Sequence, residues 1–194
     1  MTTDNFRKHS AKNPLQKILN HRFLAMLAVE AKKLDPERIL DAGCGEGFTL
    51  EKLRREGIGR TLEGVDISEQ ALALGRKLHP RLFPKKGSVY ELPYADKSFD
   101  LVICSEVLEH LEHPEKALSE LHRVSKRYCI ITVPHEPFFR LANFLRGKNL
   151  SHFGNDREHI QHWSRRGIVA LARRYFGIKA VRSPFPWTII VGEK

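Results

Sequence analysis

The chain has 194 residues, of which 41% are hydrophobic and 29% are charged, and it carries a formal net charge of +10 at pH 7. This size and composition fit one folded domain with a sizeable core and exclude an intrinsically disordered chain. No apolar run approaches the ~20 residues of a membrane-spanning helix, and the polar residues 1–13 do not resemble a secretory signal. We therefore expect a cytoplasmic protein without a transmembrane segment.

Helices and strands alternate along the first half of the chain, after a polar stretch at 1–13 that predicts a loose arm. The predicted elements are a helix from 14 to about 34, a strand at 38–41, a helix at about 48–56, a strand at 61–65, and a helix capped by Ser68 with Ala71, Leu74, Gly75 and Leu78 on one face.

The alternation continues in the second half of the chain. The predicted elements are a strand at 82–86, a buried strand at 99–104, a helix at 114–124, a strand at 128–133, a helix containing Ile168 and Leu171, and strands at 178–181 and 188–191. This order favours a parallel sheet with right-handed crossovers. Only a short turn separates the last two strands, so we expect them to pair antiparallel.

Three glycines follow the first predicted strand at alternate positions: Gly43, Gly45 and Gly47. Glycine permits a positive φ and lets a ligand approach the main chain. Free N–H groups of such a turn, with the N-terminus of the next helix, favour an anionic or strongly polar ligand group. The third glycine of a dinucleotide-binding fingerprint would stand at Phe48, so an oxidoreductase is disfavoured. A tight structural turn without a ligand is the alternative.

An acidic residue, Asp66, ends the second predicted strand 19 residues after Gly47. This separation is close to the ~20 residues expected of a carboxylate that binds a ribose. A carboxylate there can accept hydrogen bonds from both ribose hydroxyls, whereas the alternative is a solvated turn aspartate or a helix cap. The glycine turn and the strand-end acid together favour ligand binding more than either does alone.

Four motifs stand in order along residues 36–134, at 40–47, 64–68, 87–94 and 98–111. Their order and spacing resemble those of the class I S-adenosylmethionine-dependent methyltransferases, within the broad group that includes the ubiquinone and menaquinone biosynthesis methyltransferases. With the element order, the resemblance implies an α/β fold: a Rossmann-like, seven-stranded, mostly parallel sheet with helices on both faces and an antiparallel C-terminal strand. We expect a single methyltransferase domain over 1–194, with an N-terminal arm and helix at 1–35.

The resemblance implies S-adenosylmethionine as the cofactor and assigns residues to it. These are Asp41, Gly43, Cys44, Gly45, Gly47, Asp66, Ile67, Ser88, Val89 and Ser105. The glycine turn would pass under the methionine part, with Asp41 facing the ammonium group directly or through water. Asp66 would hold the ribose, and Ile67 would pack on the adenine. Ser88 and its neighbour would lie at the adenine edge, and the main chain near Ser105 would close over the amino-acid end.

Ser88 departs from the family pattern, which commonly has an aspartate that accepts a hydrogen bond from the adenine amino group. A serine hydroxyl is a neutral and weaker acceptor, so either cofactor affinity is lower or another group substitutes. This departure leaves a non-catalytic cofactor-binding module as an alternative function.

Methyl transfer from a sulfonium is an in-line displacement that needs alignment, exclusion of water and, for some nucleophiles, a base. No metal is required, and the histidine spacing shows no ligand set. His110 and His135 follow the fourth and fifth predicted strands, so both are candidate catalytic residues, with a polar or capping role as the alternative for each.

The three cysteines, Cys44, Cys104 and Cys129, lie in or next to predicted core strands and show no metal-like spacing. We expect them to be reduced and mostly buried. Cys104 lies inside a strand pattern and lacks a preceding proline, which favours a core cysteine over a catalytic nucleophile.

The regular alternation stops at 135–163, which we predict to be a substrate-cover insertion. Apolar residues at 138, 141, 142 and 145 recur at helical spacing beside Arg140, Arg146 and Lys148. Such a basic helix could receive a lipid-like or anionic substrate, touch a membrane surface, bind nucleic acid, or simply cap the sheet. The leading hypothesis is methyl transfer to a small-molecule acceptor. RNA methylation is a second interpretation, because residues 136–182 hold ten Lys or Arg and three acids.

Overall fold

The computed structural model describes Phe6 and residues 13–135 and 160–194. Nearly all of the predicted arm at 1–13 and most of the predicted substrate cover at 135–163, including its basic helix at 138–145, lie outside the described residues. Within the described residues, no helix is both long enough and apolar enough to cross a membrane.

Helices and strands alternate as the sequence predicts. The helices are α1 (Pro14–Lys33), α2 (Phe48–Arg55), α3 (Glu69–Leu78), α4 (Pro114–Val124) and α5 (Arg165–Ala172). The strands are β1 (Arg38–Ala42), β2 (Thr61–Asp66), β3 (Lys85–Lys86), β4 (Phe99–Ser105), β5 (Ser125–Pro134), β6 (Gly177–Arg182) and β7 (Trp187–Glu193). A short 3-10 helix, Leu108–His110, follows β4.

The seven strands form one sheet in the order β3-β2-β1-β4-β5-β7-β6. β1 pairs in parallel with β2 and β4, β2 with β3, and β4 with β5. β7 runs antiparallel to both β5 and β6. The predicted mostly parallel sheet with an antiparallel C-terminal strand is confirmed. The length of a connection determines whether the strands it joins are parallel or antiparallel. A short turn joins β6 to β7, whereas a helix separates β1 from β2 and β4 from β5.

Helices cover both faces of the sheet, which explains why the central strands carry apolar residues that point to either side. Successive residues of β4 point to opposite faces. Leu101 and Ile103 pack in one cluster with Phe23 of α1, while Val102 packs in the other with Leu118 of α4. Because the described helices cover both faces, a ligand site is expected at an edge of the sheet.

The carboxyl ends of the parallel strands meet at that edge. In the register of β1 and β2, Asp41 lies beside Gly64, two residues before Asp66. Ser105 ends β4 opposite Thr132 of β5. In open α/β sheets, ligands bind outside these carboxyl ends where the strand order reverses, which here is between β1 and β4.

Two local predictions differ from the structure. β3 has two residues instead of the predicted five. Leu82 lies at the end of a turn, where its N–H donates to the His79 carbonyl at 2.9 Å, and packs with Cys44, Leu50 and Leu72. The buried face of α3 consists of Ala71, Leu72 and Gly75, while Leu78 is 39% exposed. An added Cβ at Gly75 would lie 2.7 Å from the carbonyl oxygen of Glu46, so α3 is rotated to bring this glycine against the turn after β1.

Candidate functional site

A cavity of about 590 Å³ opens at the carboxyl ends of β1, β2 and β4. Its wall combines the glycine turn, the end of β2, the loop before β4, the segment after β4 and one side of α1. The residues that line it are Phe23, Leu24, Asp41, Gly43, Cys44, Gly45, Phe48, Thr49, Asp66, Ile67, Ser88, Val89, Tyr90, Ser105, Glu106, Val107, His110, Leu111, Glu112, His113 and Ile160.

The cavity brings together all of the predicted site residues except Gly47 and His135. Gly47 caps α2 with a φ of +84°, and its N–H donates to the Cys44 carbonyl at 2.8 Å, so it shapes the turn without lining the cavity. The N–H of His135 donates to the Pro186 carbonyl at 2.8 Å. His110 lies in the cavity wall, and the catalytic roles of both histidines stay predictions.

The carboxylate of Asp41 is buried at the cavity wall, with 1% of the residue exposed. Its Oδ1 atom has no hydrogen-bond partner among the described residues. Burial and, to a smaller extent, the charge of Asp66 raise the pKa of Asp41 to about 7. A buried polar atom without a partner costs free energy. Its position at the wall therefore indicates a ligand group that donates hydrogen bonds or carries positive charge.

Asp66 is oriented by the main chain on both sides. The N–H of Gly45 donates to its Oδ2 at 2.7 Å, and the N–H of Ser68 donates to its Oδ1 at 2.8 Å. Each oxygen of an ionised carboxylate can accept a second hydrogen bond. The side chain is thus held in place and can still accept from two ligand hydroxyls.

The glycine turn differs from the expectation that its N–H groups are free for an anion. The N–H groups of Gly43 and Cys44 donate to the Val65 carbonyl at 2.7 and 3.0 Å, and that of Gly45 donates to Asp66. The expectation was wrong for these three groups, because the turn folds back onto the end of β2. The turn therefore brings its backbone and Asp66 close to a ligand instead of forming a phosphate cradle.

The predicted adenine end of the cavity contains one exposed apolar side chain, Ile67, which is 71% exposed. The Ser88 hydroxyl accepts from the N–H of Tyr90 at 3.1 Å. The Tyr90 hydroxyl in turn accepts from the N–H of His113 at 3.2 Å, which ties this loop to the segment before α4. An apolar surface beside hydroxyl groups suits an aromatic heterocycle.

Another wall of the cavity contains residues that the sequence did not single out. Glu106 follows β4 directly and has a φ of +58°, a region that non-glycine residues seldom adopt. The indole N–H of Trp187 donates to its Oε2 at 2.8 Å, and the Thr132 hydroxyl donates to its Oε1 at 3.4 Å. Trp187 also stacks on Phe23 of α1, with ring centroids 4.7 Å apart. This part of the wall therefore joins α1, β5 and β7.

The cysteines do not supply a nucleophile. Cys44, Cys104 and Cys129 are buried and form no disulfide, as predicted. Burial raises the pKa of all three thiols well above the ordinary range, so they stay protonated. Among the described residues, no group of three or more His, Cys, Asp or Glu side chains is arranged to hold a metal ion.

Comparisons with known proteins match the part of the chain that contributes most of the residues lining this cavity. Residues 40–132 match the family described as a methyltransferase domain. The chain is 38% identical over 98 residues to the ubiquinone biosynthesis O-methyltransferase of Thiobacillus denitrificans, covering 46% of this chain and 40% of that protein. It is 32% identical over 120 residues to the demethylmenaquinone methyltransferase of Renibacterium salmoninarum, covering 61% and 50%. The chain thus spans half or less of the length of these relatives.

Solved structures share the whole fold. The PH0226 protein from Pyrococcus horikoshii OT3 superimposes with a TM-score of 0.74 at 21% identity, covering 100% of this chain and 99% of that chain. The magnesium protoporphyrin IX methyltransferase of Synechocystis PCC 6803, solved with bound S-adenosylhomocysteine, gives a TM-score of 0.72 at 18% identity, covering 97% and 91%. At these identities the likeness establishes the fold alone.

The family match, the motif order and the fold agree on one class of protein. Residues 40–132 match the methyltransferase-domain family, and the curated relatives of this part of the chain include S-adenosylmethionine-dependent methyltransferases, whose cofactor is S-adenosylmethionine. The cavity residues fit that cofactor, since the unsatisfied Asp41 oxygen suits an ammonium group and Asp66 suits a ribose diol. The exposed Ile67 side chain suits the adenine face.

We expect Asp41→Asn to stabilise the cofactor-free protein at pH 8 by roughly 2–4 kcal/mol. The folded pKa of about 7 exceeds the ordinary value of 3.8. Between pH 3.8 and about pH 7 the folded state keeps a proton on Asp41 that the unfolded state has lost. The free energy of unfolding therefore falls as the pH rises through this range. Urea unfolding at pH 8 and pH 4.5 checks the expectation, because the gain should shrink at the lower pH. A gain that is equal at both pH values would contradict the buried charge.

A second prediction concerns the turn. We expect Gly43→Ala to lower the free energy of unfolding by roughly 1–3 kcal/mol, because Gly43 has a φ of +83° and an added Cβ would collide with the Val107 side chain. Gly57→Ala is the matched control, since Gly57 has a φ of +66° and nothing within 4 Å of an added Cβ. Urea unfolding should show the larger loss for Gly43→Ala, and equal losses would contradict the close contact with Val107.

Proposed function

We propose that this protein transfers the methyl group of S-adenosylmethionine to a small-molecule acceptor. The observation that carries the proposal is the pair of acids at neighbouring strand ends. Asp41 is buried with an unsatisfied oxygen, and Asp66 is held by two N–H groups with capacity to accept more. The cavity volume of about 590 Å³ supports a small acceptor, because it lies within the ~300–1,000 Å³ typical of small-molecule sites.

The cofactor supplies a methyl group on a positively charged sulfur, which a nucleophile displaces in line while the electron pair of the C–S bond returns to sulfur. The protein contributes binding, alignment and exclusion of water. Asp41 would hold the ammonium end, and Asp66 would hold the ribose hydroxyls. Phe23 and Leu24 of α1 line the same cavity and would keep water away from the reacting groups.

The acceptor is less defined than the cofactor. The quinone-biosynthesis names of the two relatives suit a lipid-like acceptor, and so do apolar lining residues such as Leu24, Leu111 and Ile160. The sequence also left an anionic acceptor open, but the described lining residues include neither Lys nor Arg to bind one. The proposal is therefore a small, partly apolar acceptor.

RNA methylation is a second candidate because of four exposed arginines on and just after α5, which begins soon after Ile160 in the cavity wall. These are Arg165, Arg166, Arg173 and Arg174. A basic surface near the active site would bind the phosphate backbone with strong salt dependence.

Binding of a fluorescent single-stranded RNA at several salt concentrations tests the second candidate. RNA methylation predicts salt-dependent binding that is lost when these four arginines on and just after α5 are changed to glutamine. The matched control changes four other exposed arginines, at 22, 60, 76 and 81. Absence of binding, or equal loss in both quadruple variants, would remove RNA as the acceptor.

Isothermal titration with S-adenosylmethionine and S-adenosylhomocysteine tests the main proposal. We expect Asp66→Asn to weaken binding at least about tenfold through loss of charge-assisted hydrogen bonds. Affinity should also fall as the pH drops below about 7, because protonated Asp41 no longer attracts the ammonium group, and Asp41→Asn should remove this pH dependence. Asp96→Asn, an exposed residue outside the cavity, is the control. No binding of either compound by the wild type would overturn the proposal.

A turnover assay distinguishes an enzyme from a non-catalytic cofactor-binding module. The second alternative arises because the sequence has Ser88 where an aspartate is common. The Ser88 hydroxyl lines the cavity and already accepts one N–H, yet a hydroxyl oxygen can accept a second hydrogen bond. This arrangement supports a retained adenine contact and hence an active enzyme. Formation of S-adenosylhomocysteine with any acceptor would eliminate the non-catalytic alternative.

A further inference from the structure

The eleven residues from the end of α3 through β3 contain five Lys or Arg and no acid. This segment, 76–86, is named the basic edge, because β3 is an edge strand of the sheet. All five cations are exposed: Arg76, Lys77, Arg81, Lys85 and Lys86. So dense a cluster of one sign at one edge of the fold attracts a partner of the opposite charge.

Most of this positive charge is not neutralised by neighbouring acids. Arg76 pairs with Glu69 at 2.8 Å, and Lys85 pairs with Glu63 at 3.2 Å. The other three cations of the basic edge form no ion pair with the described residues: Lys77, Arg81 and Lys86. Pairs between exposed groups are weak. The basic edge therefore keeps a net positive charge that is open to solvent.

The basic edge also holds the most exposed large apolar side chain among the described residues. Phe83 is 79% exposed, although its neighbours Leu82 and Pro84 are both buried. The Leu82 N–H also donates to the His79 carbonyl at 2.9 Å. Because buried residues on both sides fix the turn, Phe83 is held outward by the fold.

An exposed apolar side chain among cations complements an anionic lipid surface. The apolar group enters the boundary between headgroups and acyl chains, while the cations face the charged groups of the lipids. Arg81 and Lys85 are each two residues from Phe83, so their Cα atoms lie within roughly 8 Å of its Cα atom. This distance is about one Debye length at physiological salt. Both charges therefore act on the surface that Phe83 would touch.

Single-stranded nucleic acid is the other anionic partner that uses aromatic and basic groups together, through stacking of its bases. The remaining exposed apolar residues of the basic edge favour lipid instead. Leu78 is 39% exposed, and Pro80 is exposed as well. Neither side chain offers an aromatic face for a base, whereas both can leave water for an apolar phase.

The basic edge lies next to the cavity. Lys86 pairs with Asp66 in the register of β3 with β2, and Asp66 lines the cavity. Ser88, two residues after β3, lines it as well. A surface that binds the basic edge would therefore be close to the cavity.

We propose that the basic edge binds the surface of a membrane that contains anionic lipids, with Phe83 inserted among the headgroups. The three unpaired cations face the lipid anions, and Leu78 adds apolar contact. This inference goes beyond the proposed function and does not depend on it, because lipid binding requires neither the cofactor nor the acceptor.

Flotation of the full chain with increasing amounts of vesicles tests the proposal. One set of vesicles is pure phosphatidylcholine, and the other contains equal amounts of phosphatidylcholine and phosphatidylserine. We expect binding to the anionic vesicles to be at least about tenfold tighter, since each Lys or Arg near an anionic surface contributes about fivefold. Added salt should weaken this binding.

Two triple variants of equal charge assign the binding to the basic edge. The first combines Lys77→Gln, Arg81→Gln and Lys86→Gln, and it should weaken binding to the anionic vesicles at least about tenfold. The matched control combines Lys17→Gln, Arg22→Gln and Lys32→Gln, which also removes two exposed lysines and one exposed arginine, here from α1. The control should bind as the wild type does.

Variants of Phe83 test the apolar contact. Phe83→Ala should weaken binding to the anionic vesicles at least about fivefold through loss of apolar burial, whereas Phe83→Trp should retain it. Phe185→Ala is the matched control, because Phe185 is 55% exposed and lies between β6 and β7, at the opposite end of the strand order. Phe83 is exposed, so neither change at this position should alter the midpoint of urea unfolding.

The proposal is overturned by equal binding to the two kinds of vesicle, by binding to neither, or by equal losses in the two triple variants. It is also overturned if Phe83→Ala binds the anionic vesicles as tightly as the wild type does. Salt-dependent RNA binding that is lost in the triple variant of the basic edge, without vesicle binding, would assign this surface to nucleic acid instead. Cofactor binding is measured separately, so failure of this proposal is distinguishable from failure of the proposed function.

Discussion

The buried carboxylate of Asp41 is the constraint around which the site is arranged. Parallel pairing of β1 with β2 places Asp41 beside Gly64 and only two residues before Asp66. The resulting burial and like charge raise the pKa of Asp41 to about 7 and leave one of its oxygens without a partner among the described residues. A fold keeps such an unfavourable group where a ligand compensates for it. The ammonium group of S-adenosylmethionine is the compensation that we propose.

The backbone next to Asp41 is fixed by hydrogen bonds and close packing. N–H groups of the glycine turn donate to the Val65 carbonyl and to Asp66, so the turn is fixed before any ligand arrives. Gly75 lets α3 approach the turn from behind, and Gly43 makes room for Val107. Rigid placement of this kind suits a reaction that depends on alignment more than on acid and base chemistry.

That Asp41, the glycine turn and Asp66 lie together could be predicted from the sequence because their signals are local. Asp41, the three glycines and Asp66 each stand at the carboxyl end of a recognisable strand, and strand ends in a parallel sheet meet at one edge. Details that depend on tertiary contacts were missed. Leu72 is buried instead of Leu78 because Gly75 faces the turn, and the N–H groups of the turn are already satisfied because the chain folds back onto β2.

The wall of the cavity that Phe23 and Glu106 form could not be predicted in the same way. More than 80 residues separate Phe23 from Glu106, and more than 80 separate Glu106 from Trp187. Only the packing of α1 and the antiparallel pairing of β7 bring the three side chains together. No local pattern records that contact. Glu106 was the one accessible signal, since it directly follows β4 as an acid, much as Asp66 ends β2.

A crystal structure of the protein with S-adenosylhomocysteine tests the central claim most directly. We predict that the amino group of the bound molecule lies within hydrogen-bond distance of Asp41, directly or through one water, and that its ribose hydroxyls donate to Asp66. A complex in which the molecule binds outside the cavity, or in which its amino group lies away from Asp41, would contradict this placement.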